Sequence, residues 1–255
     1  LGAMTVVCSD KTGTLTMNEM TVKAIITADC CYRVEGDSYE PQGRIFLEGS
    51  DEPVQVQPGT VLETWLRTID LCNDSQLTQD ERGLWGITGG PTEGALKVLA
   101  AKAQLPAVEA RLVAKIPFDS QYKYMSTLQH IDGNARVLIT GAPDVIFAMC
   151  REQMSRHGAV PFEAQYCQGL RMVAAACKPA SLDATTLNHE DLQEGLIFLG
   201  IAGMMDPPRP EAIDAIHACQ TAGIRVKMIT GDHPQTAMSI GQMLGITNSS
   251  QAMTG

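Results

Sequence analysis

The chain has 255 residues, 44% hydrophobic and 19% charged, with a formal net charge of −10 at pH 7. That length supports one large or two modest domains with real cores. The acidic balance argues against nucleic acid or an anionic membrane surface as the main partner, because phosphate contacts need clustered Lys and Arg.

In chain order, residues 4–8 are apolar or β-branched and predict a buried strand that delivers Asp10 to its carboxyl end. Residues 23–57 alternate short apolar and polar runs broken by Gly36-Asp37, Pro41-Gln42-Gly43 and Gly49, which predicts an antiparallel hairpin or meander. Helices are predicted over 61–73 and 92–103, the second capped by Thr92 and carrying Leu96, Leu99 and Ala103 at helical spacing. Strands follow over 111–117, 124–131 and 135–140, the last two joined by Asp132-Gly133-Asn134. Pro143 opens a helix through 149, a short helix is expected over 162–169 and a strand over 170–177. Residues 195–205 form the longest apolar run, too short for the roughly 18 apolar residues that cross a bilayer, and read as a core strand; the N-terminus carries no signal-peptide pattern.

The last fifty residues have a different rhythm. Pro210 suits the first turn of a helix over 211–221, with Ile213, Ile216 and Gln220 on one face, Ala212 and Cys219 beside it, and Gly223 as its stop. A strand over 224–229, the loop Thr230-Gly231-Asp232 and a helix over 234–244 complete a strand, loop, helix unit of the kind that builds doubly wound sheets. Eight cysteines show neither a Cys-x-x-Cys pair nor a zinc spacing with the five histidines, and read as reduced, mostly packed thiols.

The most specific string is Cys8-Ser9-Asp10-Lys11-Thr12-Gly13-Thr14-Leu15-Thr16. After a buried strand, Gly13 lets the backbone curl, Thr12 and Thr14 offer hydroxyls and Lys11 adds a positive charge, so donors converge where a phosphoryl group would lie. Asp10 is then a carboxylate able to act as nucleophile. A plain polar turn is the bland alternative, and seven specified residues in a row weigh against it.

This string resembles the phosphorylation motif of the P-type ATPases, Asp-Lys-Thr-Gly-Thr-Leu-Thr, without a change, and Met17-Asn18-Glu19-Met20-Thr21 resembles the type II cation pumps. The resemblance implies an α/β chain. Residues 1–20 and 206–255 would form part of a haloacid-dehalogenase-like, Rossmann-type phosphorylation domain, and residues 21–205 an inserted α+β nucleotide-binding domain built on an antiparallel sheet. ATP and Mg2+ are the implied ligands, with Asp10 and Thr12 on the magnesium. Partners would be the transmembrane and actuator domains of the same pump, with no nucleic acid and no membrane insertion by this segment, which would lie at the cytosolic face of a membrane.

The nucleotide-binding marks follow in order. Glu93, in Gly90-Pro91-Thr92-Glu93-Gly94, matches the residue that accepts from the adenine amino group. Its bland reading is a first-turn charge on the helix dipole. In Pro117-Phe118-Asp119-Ser120-Gln121-Tyr122-Lys123, Phe118 matches the ring that stacks on adenine and Lys123 the neighbouring cation. Gly141, in Thr140-Gly141-Ala142-Pro143-Asp144, matches a wall of the pocket, but Thr140 stands where the family has Lys, which leaves Lys123 and Arg171 most of the positive charge. Arg171 matches a phosphate contact, and Arg209 one that is made when the domains close. Thr230 matches the residue that holds the transferred phosphoryl, and Gly231-Asp232 its companions.

Two departures bear on catalysis. Thr12 stands where the related phosphatases carry a second Asp as general acid/base, which argues against the alternative of a soluble haloacid-dehalogenase-type phosphatase and for a longer-lived acyl phosphate. The family's later Gly-Asp-Gly-x-Asn-Asp motif does not occur in the 255 residues, so the expectation is nucleotide binding with little autophosphorylation by this chain alone.

Overall fold

The computed structural model describes residues 4–150, 169–232 and 234–246. Its largest element is an eight-stranded antiparallel sheet in the order β4-β3-β2-β11-β10-β9-β8-β7. These strands are β2 (Thr21–Thr27), β3 (Cys31–Val34), β4 (Ile45–Leu47), β7 (Ala110–Asp119), β8 (Tyr124–Ile131), β9 (Asn134–Gly141), β10 (Arg171–Ala180) and β11 (Ile197–Met205). The meander expected over 23–57 is β2 to β4, and the hairpin turning through Asp132-Gly133 is β8 to β9.

Side-chain alternation sorts the sheet into two cores. Leu138, Ala175 and Cys177 face one way, onto α1 (Val61–Leu71) and α2 (Pro91–Lys102), where Leu62, Trp65, Leu66 and Ile69 recur at helical spacing. Ile139, Ala174 and Ala176 face the other way, onto α3 (Pro143–Met149) through Ile146 and onto Leu187 and Leu192 around a single 3₁₀ turn, His189–Leu192. Ala174, Ala175 and Ala176 are all fully buried, and their small side chains admit helices from both sides of β10.

The ends of the chain form a smaller unit. Strand β1 (Val6–Asp10) pairs in parallel with β12 (Arg225–Ile229), and α4 (Pro210–Thr221) and α5 (Pro234–Met243) pack beside them through Leu15, Met205, Ala212, Ile216 and Ile240. The strand, loop, helix reading of 224–244 therefore holds. The α4 face differs from expectation: Ala212 and Ile216 are buried, while Ile213 is exposed and Gln220 lies at the surface. A two-stranded sheet is too narrow to cover more than an i, i+4 stripe of the helix.

Other boundaries moved for local reasons. Helix α2 starts at Pro91 with Gly90 as its N-cap, not Thr92, because Pro at the first position has no N–H to leave unpaired. Strand β10 runs on to Ala180, held by Pro179 opposite Arg136 on β9. A hairpin of β5 (Gln76–Gln79) and β6 (Trp85–Thr88) was not expected from the polar 76–88 stretch. It is turned by Asp80, whose carboxylate accepts from the N–H groups of Arg82 and Leu84. The short helix expected over 162–169 lies, but for Gly169, outside the described residues.

Candidate functional site

Parallel pairing puts Asp10 opposite Ile229, so the loop after β1 and the loop after β12 leave the same sheet edge side by side. This is the edge where open α/β sheets take their ligands. Thr12 (φ −74°, ψ 123°) and Gly13 (φ 72°, ψ −7°) form a type II turn, whose third position requires the positive φ that Gly tolerates. Thr16 N–H closes the loop by donating to the Lys11 carbonyl at 3.1 Å. Lys11 is buried, and its ammonium pairs with the Asp232 carboxylate at 2.6 Å. Asp232 N–H in turn donates to the Thr230 hydroxyl at 3.1 Å, which folds the Thr230-Gly231-Asp232 loop over the Lys11 side. Among the described residues, the Asp10 carboxylate is exposed and makes no hydrogen bond or ion pair.

The two chain crossings between the small unit and the large sheet are clasped together. Asp206 is buried and accepts from the Thr16 hydroxyl at 2.5 Å and the Glu19 N–H at 3.2 Å. Backbone bonds from Met17 to Pro207 and from Arg209 to Leu15 run alongside. The Arg209 guanidinium donates to the Gly13 carbonyl at 3.4 Å, so it braces the turn from behind and does not line the cavity described next.

A cavity of about 660 Å³ runs from Lys11, Thr12 and Asp232 at one end to Glu93, Phe118 and Lys123 at the other. Thr140, Gly141 and Arg171 line its wall. Asp10, Thr14, Thr230 and Gly231 are not among its lining residues; Asp10 adjoins Lys11 and Gly231 adjoins Asp232, while Thr14 and Thr230 lie one residue further along their loops. Asn18, Met20, Met125, Met172, Val173 and Asp206 also line it and were given no ligand role from sequence. Apolar side chains at such positions look like ordinary core in a one-dimensional reading.

Each candidate side chain has a local reason for its position. Register shifts in β7 between Ile116 and Asp119 release Pro117 and Phe118 from the ladder, and Phe118 is left 56% exposed at the cavity. A core phenylalanine would be covered, so Phe118 is not part of either core. Lys123 sits in the left-handed region at φ 58° and closes the turn by donating its N–H to the Asp119 carbonyl at 2.7 Å. Its ammonium lies 3.5 Å from the exposed Asp144. Gly141 lets β9 approach this turn, since a Cβ there would lie 2.6 Å from the Lys123 carbonyl oxygen. Glu93 is in the first turn of α2, and its own carbonyl accepts from the Asn73 amide at 2.9 Å. Arg171 opens β10 and is exposed.

Thr140 is buried and donates its hydroxyl to the Cys72 carbonyl at 3.4 Å, at the C-terminal end of α1. Beneath it, burial pushes the Cys72 thiol up to about 11, so it remains a neutral donor to the Met125 and Leu138 carbonyls. Cys150 and Cys177 are also buried, but Cys30, Cys31 and Cys219 are partly exposed and Cys8 is exposed, so fewer of the described thiols are packed than the sequence suggested.

The family model for "P-type ATPase, cytoplasmic domain N" matches residues 61–211. The Cation-transporting ATPase pma1 of Synechocystis is 43% identical, over 96% of this chain and 29% of its own length. A Bacillus subtilis calcium-transporting ATPase is 35% identical, over 96% of this chain and 29% of its own. Mouse calcium-transporting ATPase type 2C member 2 is 33% identical, over the whole chain and 27% of its own.

The chain belongs to the P-type ATPase family. It spans under a third of the length of these relatives. The Thr140→Lys variant adds a cation to the cavity wall at the loss of one weak hydroxyl bond. It is expected to tighten ATP binding about fivefold, roughly 1 kcal/mol, as read by calorimetric titration. An unchanged affinity means that the position does not sense the phosphates.

Proposed function

We propose that this chain is the ATP-binding and phosphoryl-accepting part of a cation-transporting pump at the cytosolic face of a membrane, with calcium the first candidate ion. Residues 21–205 act as the nucleotide-binding domain. Residues 1–20 and 206–255 contribute to a Rossmann-type phosphorylation domain. The observation that carries this reading is the single cavity joining Glu93, Phe118 and Lys123 to the loop that begins at Asp10. The calcium assignment is supported by the names of the Bacillus and mouse relatives.

In this reading the adenine ring stacks on exposed Phe118 and its amino group donates to Glu93. Gly141 keeps the wall beside them thin. Lys123 and Arg171 neutralise the phosphates, a local basic exception in an acidic chain. At the far end a carboxylate oxygen of Asp10 attacks the γ-phosphorus. The new O–P bond forms as the bond to the bridging oxygen breaks, and ADP leaves with that electron pair. The Thr14 and Thr230 hydroxyls and the Gly231 amide are donors for the transferred group. Lys11 supplies positive charge, shared with Asp232, and Arg209 acts through the Gly13 turn.

Asp10 and Thr12 offer hard oxygen donors of the kind Mg2+ prefers, and the ion characteristically completes its shell with water and substrate phosphate. When bound, Mg2+ supplies neutralisation of the charge that develops on the phosphoryl oxygens. Thr12 cannot supply the proton transfer that would speed hydrolysis of the acyl phosphate, so the intermediate persists as coupling to transport requires.

Removing the ring tests the adenine end directly. Phe118→Ala is expected to weaken ATP binding by about 1–3 kcal/mol, roughly five- to a hundredfold. Calorimetry together with amide NMR shifts at Glu93 and Lys123 measures it. Unaltered affinity, or shifts confined to Asp10, would sink the nucleotide reading in favour of a phosphatase site.

A further inference from the structure

Lys123 owes its position to side chains outside the cavity. The residues on either side of it, Tyr122 and Tyr124, both reach one imidazole. Tyr122 stacks on His189 with ring centroids 4.1 Å apart and planes within 24°. The Tyr124 hydroxyl lies 2.5 Å from His189 Nδ1. Residues two apart project to the same side of an extended chain, so the two tyrosines reach one ring and fasten the backbone on both sides of the turn between them. Lys123 makes that turn at φ 58°, a conformation that a side-chain-bearing residue rarely adopts unless its surroundings impose it.

His189 is itself firmly seated. It begins the 3₁₀ turn His189–Leu192, whose Asn188 and Asp191 form a reciprocal capping box, with Asn188 N–H donating to the Asp191 carboxylate at 2.7 Å. Leu187 and Leu192 anchor the turn in the second core. Lys178, from β10, donates to the carbonyls of Asp191 and Glu194. The imidazole is therefore a post fixed to the sheet, and the exposed 120–123 turn leans on it from above. The other face of the turn is set by the backbone, through the Ala142 N–H that donates to the Lys123 carbonyl at 2.9 Å.

We infer that His189 is a positioning residue for nucleotide phosphate binding, acting through Tyr122 and Tyr124 to hold the Lys123 ammonium at the cavity. His189 is not among the residues that line the cavity, so its effect reaches the cavity through the turn that carries Lys123. Preorganising one cation lowers the ordering cost of binding the group it meets and leaves contacts to the base untouched. The inference rests on the nucleotide reading above, and it adds to that reading a residue far from it in sequence.

A thermodynamic cycle on the 255-residue chain tests it, with adenosine and ATP as the two probes. His189→Ala is expected to weaken ATP binding roughly fivefold and leave adenosine binding unchanged. In a Lys123→Met background the same change should have no further effect on ATP. Tyr122→Leu, which removes the stack from an exposed residue, should reproduce part of the loss. It also serves if His189→Ala fails to fold. His189→Phe keeps the stack and should recover part of the affinity. Equal loss of adenosine and ATP, full ATP affinity in His189→Ala and Tyr122→Leu, or a His189 effect that persists without Lys123 would each overturn the inference. The nucleotide reading has its own arm: if Lys123→Met leaves ATP binding unchanged, the role given to Lys123 falls, and the positioning role falls with it.

Discussion

With Asp10 as the proposed phosphoryl acceptor, Asp10→Asn is expected to abolish phosphoryl transfer in a full-length protein that carries this segment, by at least about a thousandfold, because an amide cannot serve as the attacking oxygen anion. The measure is label transferred from γ-labelled Mg·ATP into a hydroxylamine-sensitive bond in the full-length protein. ATP affinity should hold or rise in the same variant, since a negative charge facing the γ-phosphate is gone while Phe118, Glu93 and Lys123 keep their positions. Asp10 lies at the end of a strand and makes no hydrogen bond or ion pair among the described residues, so folding should not suffer. Persistence of the labelled bond would move the nucleophile elsewhere. Loss of nucleotide binding along with transfer would instead indicate a folding defect.

Gly141→Ala is expected to have a large effect for a single added methyl group. The added carbon would meet the Lys123 carbonyl oxygen at 2.6 Å, the Tyr124 Cβ at 2.6 Å and the Tyr124 Cα at 2.9 Å. Two of these three atoms are backbone and the third is fixed to it, so no side-chain rotation relieves the contact. Strand β8 or β9 must shift, at a cost of about 1–3 kcal/mol in stability. The Lys123 turn must move with it, lowering ATP affinity by roughly tenfold. Denaturant titration and nucleotide calorimetry on the same preparation read both. Gly231→Ala is the contrast: a Cβ there meets nothing within 4 Å, and stability should not change. A Gly141→Ala protein as stable as its parent would mean that the β9 edge is looser than its contacts imply.

The sequence was most legible where chemistry and local structure coincide. Asp10 to Thr16 carries turn, charge and hydroxyls in consecutive residues, and the type II turn at Thr12-Gly13 forms from them directly. Helix α3 and strand β8 also appear over the residues that their patterns predict, because Pro143 fixes a start and β8 runs without interruption from Tyr124 to the Asp132-Gly133 turn. The β5–β6 hairpin was not legible. Its residues are polar, and what holds it is Asp80 folding back on its own loop and Ile87 packing over Gly94 of α2. Ile213 misled for the reverse reason: its spacing fits a buried face, but among the described residues only two strands are there to cover it.

Sequence alone determined the family resemblance and the chemistry proposed from it, because the Asp10–Thr16 loop is contiguous and its residue types admit few other uses. It also determined the order of the nucleotide-binding segments along the chain. Tertiary structure decided which of those segments meet. Lys11 and Asp232 are 221 positions apart and form one ion pair, and Asp206 closes on Thr16 across a gap of 190. The structure also decided that Arg209 braces a turn while Phe118 faces open space. Such outcomes depend on strand register, on a bulge in β7 and on the parallel pairing of β1 with β12. Those are properties of non-local pairing, which no local pattern of residues encodes.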